Sequence, residues 1–519
     1  MSEMTGDKSR IVGKFRQWIL SRHGSFVLAG VLVVVLALVI GLNVGGLREE
    51  LVWRISPPHI ESLAILPLQN ISSDPEHEEF AYRTSANIMG ELHRIGTFRV
   101  IGPMSMARYR KTAKLPAEIA RELNVAWIVQ GGVLRSGDRV RIEVNLVHAP
   151  TNRRIWEQAF ERDLPDILNL QARVAHAIAL TTRVGLTPQE EARLRATRKT
   201  VNRDAYDAWV RGIAVGNTAE GDVHLKQAIQ IDPAFAQAYD ILAVRTHMRN
   251  MFPTLAPRDT YLAAKEAAQK AAGIDPTTSS AVRTLALVAL EYDWDYVKAD
   301  KEFARALDIW PSGPMTHHYH AHYLLSMGRM EEARAESRRA MEIDPLNPTL
   351  FACVSWHDIA LRDYEGAEKL ALQALSLGAP DQLARLTLGW SFALRGRHDE
   401  AIAEFQKAVV GWKGAVFPTA VLGHGYAVAG NKDAAQEVLN GLLERSKNNK
   451  EYVSPYEIAM VYAGLGHRDR AFEWLEKAYE DRATLLVYFR MDPRIWSLRS
   501  DPRHRELLRR MNFPQDRQD

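Results

Sequence analysis

A 34-residue periodicity between residues 314 and 482 constrains the fold of this chain more than any other feature. One position of each period carries glycine or arginine, and two others carry alanine. These positions are Gly328, Arg362, Gly396 and Gly430; Ala333, Ala367, Ala401 and Ala435; and Ala340, Ala374 and Ala408. Small residues seven apart let two helices approach closely, and a proline beyond the second helix prevents it from continuing. The period therefore predicts repeated pairs of helices joined by a tight turn.

This period and its helix–turn–helix unit resemble the tetratricopeptide repeat family, whose units stack into a superhelical solenoid. A final copy, LGHRDRAFEWLEKA, lies two residues late at Gly466. Two degenerate units precede the regular ones, so we predict about eight units over residues 205–485. Residues 486–519 contain a charged helix and are predicted to form the C-terminal cap and tail. The resemblance implies a binding surface without naming its ligand.

The N-terminal residues have the composition of a membrane anchor. Residues 24–47 contain no ionisable side chain over 24 positions, and a helix of that length spans roughly 36 Å, enough for a ~30 Å hydrocarbon core. Five Lys or Arg precede this span, against Arg48 and Arg54 just after it, a bias that predicts a cytoplasmic N-terminus. A cleaved signal peptide and a buried helix are the alternatives. We predict a cytoplasmic basic tail at 1–22 and a transmembrane helix at 23–47.

Residues 58–187 alternate short apolar runs with amphipathic segments. SLAILPL (62–68) and FRVI (98–101) have the character of strands, and three further strands follow closely before a helix that starts at Pro165. Ser136, Gly137 and Asp138 supply the turn chemistry of a hairpin between the first two of these three. This order predicts a small α/β domain. Residues 188–204 are charged and are predicted to form a helical linker.

Within this segment, LAILPLQNISSDPEHEEFA and ELNVAWIVQGGVLRSGDRVRIEVNLVHAPTNRRIWEQAFERDL resemble the TolB-like amino-terminal domain. In bacteria that domain commonly lies between a membrane helix and a tetratricopeptide array. The resemblance therefore implies a fold class of one transmembrane helix, a small α/β domain and an all-α tetratricopeptide superhelix. Many relatives place a winged-helix, adenylate cyclase or kinase domain ahead of the anchor, whereas about 22 residues precede it here.

No motif of an enzyme active site occurs in the sequence. The phosphate-binding loop GxxxxGK[ST], the zinc motif HExxH and the nucleophile motif GxSxG are all missing. The only cysteine, Cys353, excludes an intrachain disulfide. A net charge of +3 predicts no nucleic-acid partner. We expect no enzymatic activity, no cofactor and no small-molecule substrate.

Four histidines lie together in MTHHYHAHYLL, residues 315–325. His318 and His322 are four residues apart on one helix face, which is the spacing that two metal-binding imidazoles require. No carboxylate lies one turn away to complete a site. Between a metal site and a polar groove surface, the sequence favours the groove, and we predict no metal.

A 34-residue step returns a residue to the same face of a solenoid, so two positions of the unit predict its concave groove. The predicted partner-binding residues are His318, His322, Trp356, Leu386, Trp390, His424, Tyr456 and Met460. Neither position carries Lys or Arg, unlike family members that bind acidic chaperone tails. An extended or helical segment with apolar side chains fits this surface better. The alternative is that Trp356 and Trp390 only pack between repeats.

Together these features predict a scaffold that binds a partner protein or peptide through the groove. We expect a single-pass protein of the bacterial inner membrane, with its N-terminus in the cytoplasm and its bulk in the periplasm. The alternative is a sensory or regulatory component of a transmembrane signalling system, related to adenylate cyclase or winged-helix regulators, with its output domain on another chain.

Overall fold

The computed structural model describes residues 60–514, except 97, 183–185, 197, 251–254, 379–380 and 449–450. The described residues from Glu61 onward form one compact unit. This unit joins an α/β part to an array of helix pairs. The predicted basic tail at 1–22 and the predicted transmembrane helix at 23–47 lie outside the described residues.

A mixed sheet forms the centre of the α/β part. Its strands are β1 (Ser62–Ile65), β2 (Gln69–Asn70), β3 (Arg99–Val100), β4 (Trp127–Ser136), β5 (Arg139–His148) and β6 (Arg153–Asp163). The order is β3-β1-β4-β5-β6, with β2 also paired to β4. β1 runs parallel to β3 and β4, whereas β4, β5 and β6 are antiparallel. The hairpin between β4 and β5 turns at Gly137, where φ is +57° and glycine has no steric penalty.

Buried and exposed residues alternate along β5, which shows that one face of the sheet is covered. Val140, Ile142 and Val144 are buried, while Arg139 and Arg141 between them are exposed, as expected for a sheet with one covered face. The helices of this part are α1 (Glu78–Leu92), α2 (Pro103–Ala107), α3 (Pro116–Leu123), α4 (Ile167–Thr181) and α5 (Pro188–Arg195).

Eight helix pairs follow within the described chain. They are α6 (Arg203–Ala214) with α7 (Ala219–Ile231), α8 (Ala236–Met248) with α9 (Pro257–Ile274), α10 (Ser279–Val288) with α11 (Tyr296–Ile309), α12 (Pro314–Ser326) with α13 (Met330–Ile343), α14 (Pro348–Ala360) with α15 (Tyr364–Ser376), α16 (Asp381–Leu394) with α17 (His398–Gly411), α18 (Val416–Val428) with α19 (Lys432–Lys447), and α20 (Pro455–Gly464) with α21 (Arg468–Glu480). A π-helical turn, Ala289–Asp293, extends α10.

The turns inside the regular pairs lie at the positions that the period predicted, and their backbone is left-handed. The φ angle is positive at Gly328 (76°), Gly396 (77°), Gly430 (85°) and Gly466 (79°). Arg362 occupies the equivalent position with φ of 62°, so the turn imposes the left-handed conformation even where a side chain resists it. The periodic alanines pack where the two helices of a pair meet; Ala333, Ala367, Ala401 and Ala435 are at most 1% exposed. The predicted repeat array is confirmed.

The α/β part packs against the ends of several helix pairs. The backbone N–H and the Oγ of Ser105 both donate to Asp344 Oδ1, at 2.8 and 2.5 Å. The N–H of Gly102 donates to the carbonyl of Ile343 at 2.8 Å. A Cβ at Gly102 would lie 2.5 Å from Asp344 Cγ, so only glycine permits this approach. At the start of the array, Arg135 makes a bidentate ion pair with Asp207 of α6, at 2.6 and 2.8 Å.

No helix among the described residues is both long enough and apolar enough to cross a membrane. The longest of them, Pro257–Ile274, has 18 residues but carries Arg, Asp, Lys and Glu side chains, which are costly in hydrocarbon. This finding contradicts two predictions: the fold class that began with one transmembrane helix, and the inner-membrane localisation. The described structure is instead an α/β part followed by a mostly helical tetratricopeptide-like superhelix.

Candidate functional site

The eight residues predicted to bind a partner all lie on the first helices of consecutive pairs, and we call the surface that they line the array groove. His318 and His322 lie on α12, Trp356 on α14, Leu386 and Trp390 on α16, His424 on α18, and Tyr456 and Met460 on α20. His318, Leu386, Tyr456 and Met460 are 0% exposed, and Trp390 is 5% exposed. The array groove is therefore covered.

The C-terminal part of the chain covers it. After α21 the chain forms two 3₁₀ turns, Thr484–Tyr488 and Pro493–Leu498, and ends in helix α22 (Pro502–Arg510). We call residues 484–498 the C-terminal segment. Its Leu486, Val487 and Phe489 are 0% exposed and belong to the same hydrophobic cluster as Tyr456 of the array groove. The predicted cap residues thus include a segment packed along the groove.

Tyr488 is the aromatic anchor of the C-terminal segment. Its ring makes edge contacts with Trp356, at 5.1 Å between centroids, and with His322, at 5.5 Å. Its hydroxyl lies 3.0 Å from His322 Nδ1 and donates to Glu291 Oε1 at 3.4 Å. Glu291 Oε2 also accepts from the hydroxyl of Tyr261 at 2.8 Å. These polar contacts satisfy groups that the aromatic packing removes from water.

Arg494 supplies the charge that the groove positions themselves lack. Its guanidinium lies 4.9 Å from the ring centroid of Trp390 and pairs with Asp492, with Nη2 2.6 Å from Oδ2. Tyr456 donates to the same Asp492 oxygen at 2.7 Å. Burial alone would raise the pKa of Asp492, but the charge and hydrogen bonds of Arg494 hold that pKa below its ordinary value. His424 Nε2 lies 3.0 Å from the carbonyl oxygen of Arg494.

A cavity of about 80 Å³ lies beside these contacts, and its lining includes His322, Trp356, Cys353, Glu291 and Tyr488. Burial raises the pKa of the Cys353 thiol to about 12, so this thiol is an unreactive neutral group near pH 7. The cavity joins the array groove to the polar network of Glu291.

His357 is the functional candidate that sequence reasoning missed. It lies on α14, is 0% exposed, and its ring stacks on His318 at 5.0 Å between centroids. Burial, followed by the two neighbouring imidazoles, holds the pKa of His357 well below its ordinary value. Burial likewise lowers the pKa of His318 and takes that of His322 to about 4. Its spacing was the sequence signal that could have identified it, since His357 lies one position beyond the residue that is one full repeat after His322.

A second cleft, of about 630 Å³, lies in the α/β part, where the residues that follow β1 and the middle of β4 meet the loop before α3. We call it the α/β cleft. Both signs of charge line it: Arg110, Lys111 and Lys114 on one side, and Glu143 and Glu157 among the strand residues. Its volume lies within the range of small-molecule sites. No sequence signal indicated this cleft when we predicted no small-molecule substrate, because its lining comes from six separate stretches of the chain.

These helix pairs, their left-handed turns and their buried alanines define a tetratricopeptide repeat array, a class of solenoid that presents binding surfaces. The sequence family "Tetratricopeptide repeat" matches residues 320–345. That match covers the second half of α12, which carries His322, and all of α13.

Comparison with characterised proteins gives one relative by sequence and several by fold. The chain is 31% identical over 242 residues to "Putative adenylate cyclase 3" of Rhizobium meliloti (strain 1021), across 44% of this chain and 41% of that protein. A tetratricopeptide repeat protein from Parabacteroides merdae is 16% identical, with a TM-score of 0.35, over 53% of this chain and 99% of its own. PilF of Pseudomonas aeruginosa is 18% identical, with a TM-score of 0.32, over 42% and 94%.

Proposed function

We propose that this protein is an interaction scaffold that binds a partner protein through the array groove. One observation carries the proposal: the groove already holds a peptide segment, the C-terminal segment of the same chain. Peptide recognition is a common use of the surfaces that such solenoids form. A partner segment of similar chemistry would take the place of the C-terminal segment.

The contacts of the C-terminal segment indicate what that partner offers. An aromatic side chain would occupy the place of Tyr488 between His322 and Trp356. A cation would stand over Trp390, as Arg494 does, because an indole face attracts positive charge. The groove positions carry no Lys or Arg of their own, which argues against an acidic tail as the ligand.

Crosslinking in intact cells, followed by pull-down of the chain, would identify the partner. Two substitutions then test the site, because they should change partner affinity in opposite directions. Tyr488→Ala loosens the C-terminal segment, so partner affinity should rise by about tenfold or more, equivalent to about 1.4 kcal/mol. Trp390→Ala removes a groove anchor, so affinity should fall by about 30-fold or more.

Leu372→Ala is the control, because Leu372 is half exposed on the second helix of a pair and should leave affinity within about twofold. Thermal melts of all three variants would show which remain folded at the assay temperature. Equal losses of affinity from Tyr488→Ala and Trp390→Ala would mean that the segment belongs to the binding-competent fold, and would contradict displacement.

A second function is favoured by the sequence relative. Identity of 31% to a Rhizobium meliloti protein named as an adenylate cyclase supports a regulatory component of a signalling system, with the output domain on another chain. The α/β cleft would then offer a place for a small signal molecule. Under this proposal the purified chain makes no cyclic AMP from ATP and Mg²⁺, while cells that lack it change their cyclic AMP level. Synthesis of cyclic AMP by the purified chain would make it an enzyme and contradict this version.

A further inference from the structure

Three imidazole side chains from two neighbouring helix pairs meet in the interior of the array. His318 and His322 are one turn apart on α12, and His357 comes from α14. One ring nitrogen from each lies within 4.8 Å of the corresponding nitrogens of the other two. The ring centroids are 4.6 Å apart for His318 and His322, 5.0 Å for His318 and His357, and 4.6 Å for His322 and His357.

The hydrogen bonds around the trio are those of one assignment of the ring protons, which we adopt for the site. The hydroxyl of Ser337 donates to the carbonyl of Ala333 at 2.8 Å, so its oxygen accepts from His357 Nδ1, 2.7 Å away. The hydroxyl of Tyr488 donates to Glu291, so its oxygen accepts from His322 Nδ1 at 3.0 Å. Both histidines are therefore protonated on Nδ1 and present the lone pair of Nε2.

These lone pairs have no hydrogen-bond donor within the described part of the chain. His322 Nε2, His357 Nε2 and both nitrogens of His318 are buried without a partner there. Buried polar groups are nearly always satisfied, and here three neighbouring imidazoles leave nitrogens unsatisfied at one point. A cation placed among them would accept all three lone pairs at once.

We propose that His318, His322 and His357 bind a divalent transition-metal ion of the Zn²⁺ type. Neutral imidazole is a preferred ligand of Zn²⁺, and three histidines leave a fourth position for water. Ligand nitrogens on a tetrahedral zinc ion lie about 3.4 Å apart, so the rings turn slightly inward on binding. The cavity that borders His322 has room for the water at the fourth position.

Two of the three ligands have behind them the groups that a metal site needs. A ligating histidine usually donates its other ring nitrogen to an oxygen, which fixes its orientation. Ser337 serves His357 in this way, and Tyr488 serves His322. Tyr488 also lies between His322 and the carboxylate of Glu291. This carboxylate provides negative charge near a site whose three ligands are neutral. Because Tyr488 belongs to the C-terminal segment, a bound ion ties that segment to α12 and α14.

Equilibrium dialysis of the purified full chain against Zn²⁺, after removal of metals with a chelator, tests the site. We expect one Zn²⁺ per chain. His318→Gln, His322→Gln and His357→Gln should each weaken binding by about 100-fold or more, since loss of a supporting hydrogen bond alone costs 10–100-fold. His320→Gln is the matched control: it lies on the same helix, but its Nδ1 faces Glu336 at 3.6 Å, and binding should stay within about twofold.

Cobalt gives a readout that does not depend on how well the variants fold. Co²⁺ added to the unsubstituted chain should produce the intense visible absorption of tetrahedral coordination, and Zn²⁺ should abolish it. Circular dichroism would identify any variant that has unfolded. The proposal is overturned if the folded chain takes up no stoichiometric Zn²⁺, if Co²⁺ gives only the weak spectrum of octahedral coordination, or if folded His357→Gln binds as tightly as His320→Gln.

Discussion

The array groove is filled by the C-terminal segment, whereas no residue that the structure describes fills the α/β cleft. Arg494 in the groove has a side chain only 7% exposed and is paired with an Asp492 that is 2% exposed. Arg110 in the cleft is 37% exposed and pairs with Glu79 at 3.0 Å. Both regions thus contain an ion pair between Arg and a carboxylate. The pair is buried in the array groove and partly exposed to water in the α/β cleft.

This difference separates the two regions energetically. A buried pair survives only while both partners are present, because either one alone is an uncompensated charge in a dry interior. An exposed pair exchanges its partner for water at little cost. We therefore expect substitutions in the groove to act on folding first and on binding second, and substitutions in the cleft to leave folding nearly unchanged.

The largest expected effect compares one substitution in both regions. Arg494→Ala should lower the free energy of unfolding by about 3–5 kcal/mol, because it leaves the carboxylate of Asp492 buried and unpaired. Arg110→Ala should lower it by about 1 kcal/mol or less. Urea titrations followed by circular dichroism measure both. Equal losses would mean that the groove is as hydrated as the cleft.

The next effect concerns Glu457 on α20, which is 2% exposed. Burial raises its pKa to about 8, against the lowering influence of Arg494. Between about pH 4.5 and 8 the folded chain keeps a proton that the unfolded chain releases, so this group makes stability fall as pH rises. Glu457→Gln removes that loss and should stabilise the fold by about 2–3 kcal/mol at pH 7.

At pH 4 the same Glu457→Gln substitution should change stability little, because the carboxyl is then protonated in both states. Melting temperatures of both proteins across this range give the difference. A stabilisation that is independent of pH would show that Glu457 is ionised in the folded chain.

His93, the residue that follows α1, gives the opposite pH dependence in the α/β part. It is 2% exposed, and burial lowers its pKa to about 4 while its hydrogen bond to the Val100 carbonyl opposes that shift. Between pH 6.5 and 4 the unfolded chain binds a proton that the folded chain refuses, so stability is lost as pH falls. The contribution is about 2 kcal/mol at pH 5.

Comparing His93→Gln with the unsubstituted chain isolates the part of the pH dependence of stability that His93 causes. The substitution also changes the packing of His93 against Trp310, but that offset is the same at every pH. The stability difference should therefore shift by about 2 kcal/mol between pH 7 and pH 5. A constant difference would mean that His93 is accessible to protons in the folded chain.

The smallest effect is expected in the α/β cleft. Lys114 pairs with Glu122 at 2.6 Å, but the two side chains are 50% and 39% exposed. Lys114→Ala should change the free energy of unfolding by about 0.5 kcal/mol or less. Lys432→Ala, on the exposed face of α19, gives the baseline for removing a surface lysine. A loss above about 2 kcal/mol would show that the cleft is part of the packed structure.

The 34-residue period was sufficient to predict the array, because each unit is stabilised mainly by local contacts that recur in the sequence. The same period placed the groove residues on the first helices of successive pairs. It was also sufficient to predict the turn at Arg362, where a residue other than glycine adopts a positive φ. The membrane-anchored fold class is the prediction that the structure contradicts, since no described helix can span a membrane.

By itself, the sequence determined the helix pairs, because a period of hydrophobic and small residues fixes which faces of successive helices must meet. Only the tertiary structure decided what those faces enclose. Tyr488 reaches His322 across 166 positions of the chain, and His357 joins His318 and His322 from the next pair. Such contacts depend on the path of the chain after the last repeat and on how one pair is rotated against the next. Neither is set by the residues of a single unit, since both arise from the packing of the array as a whole.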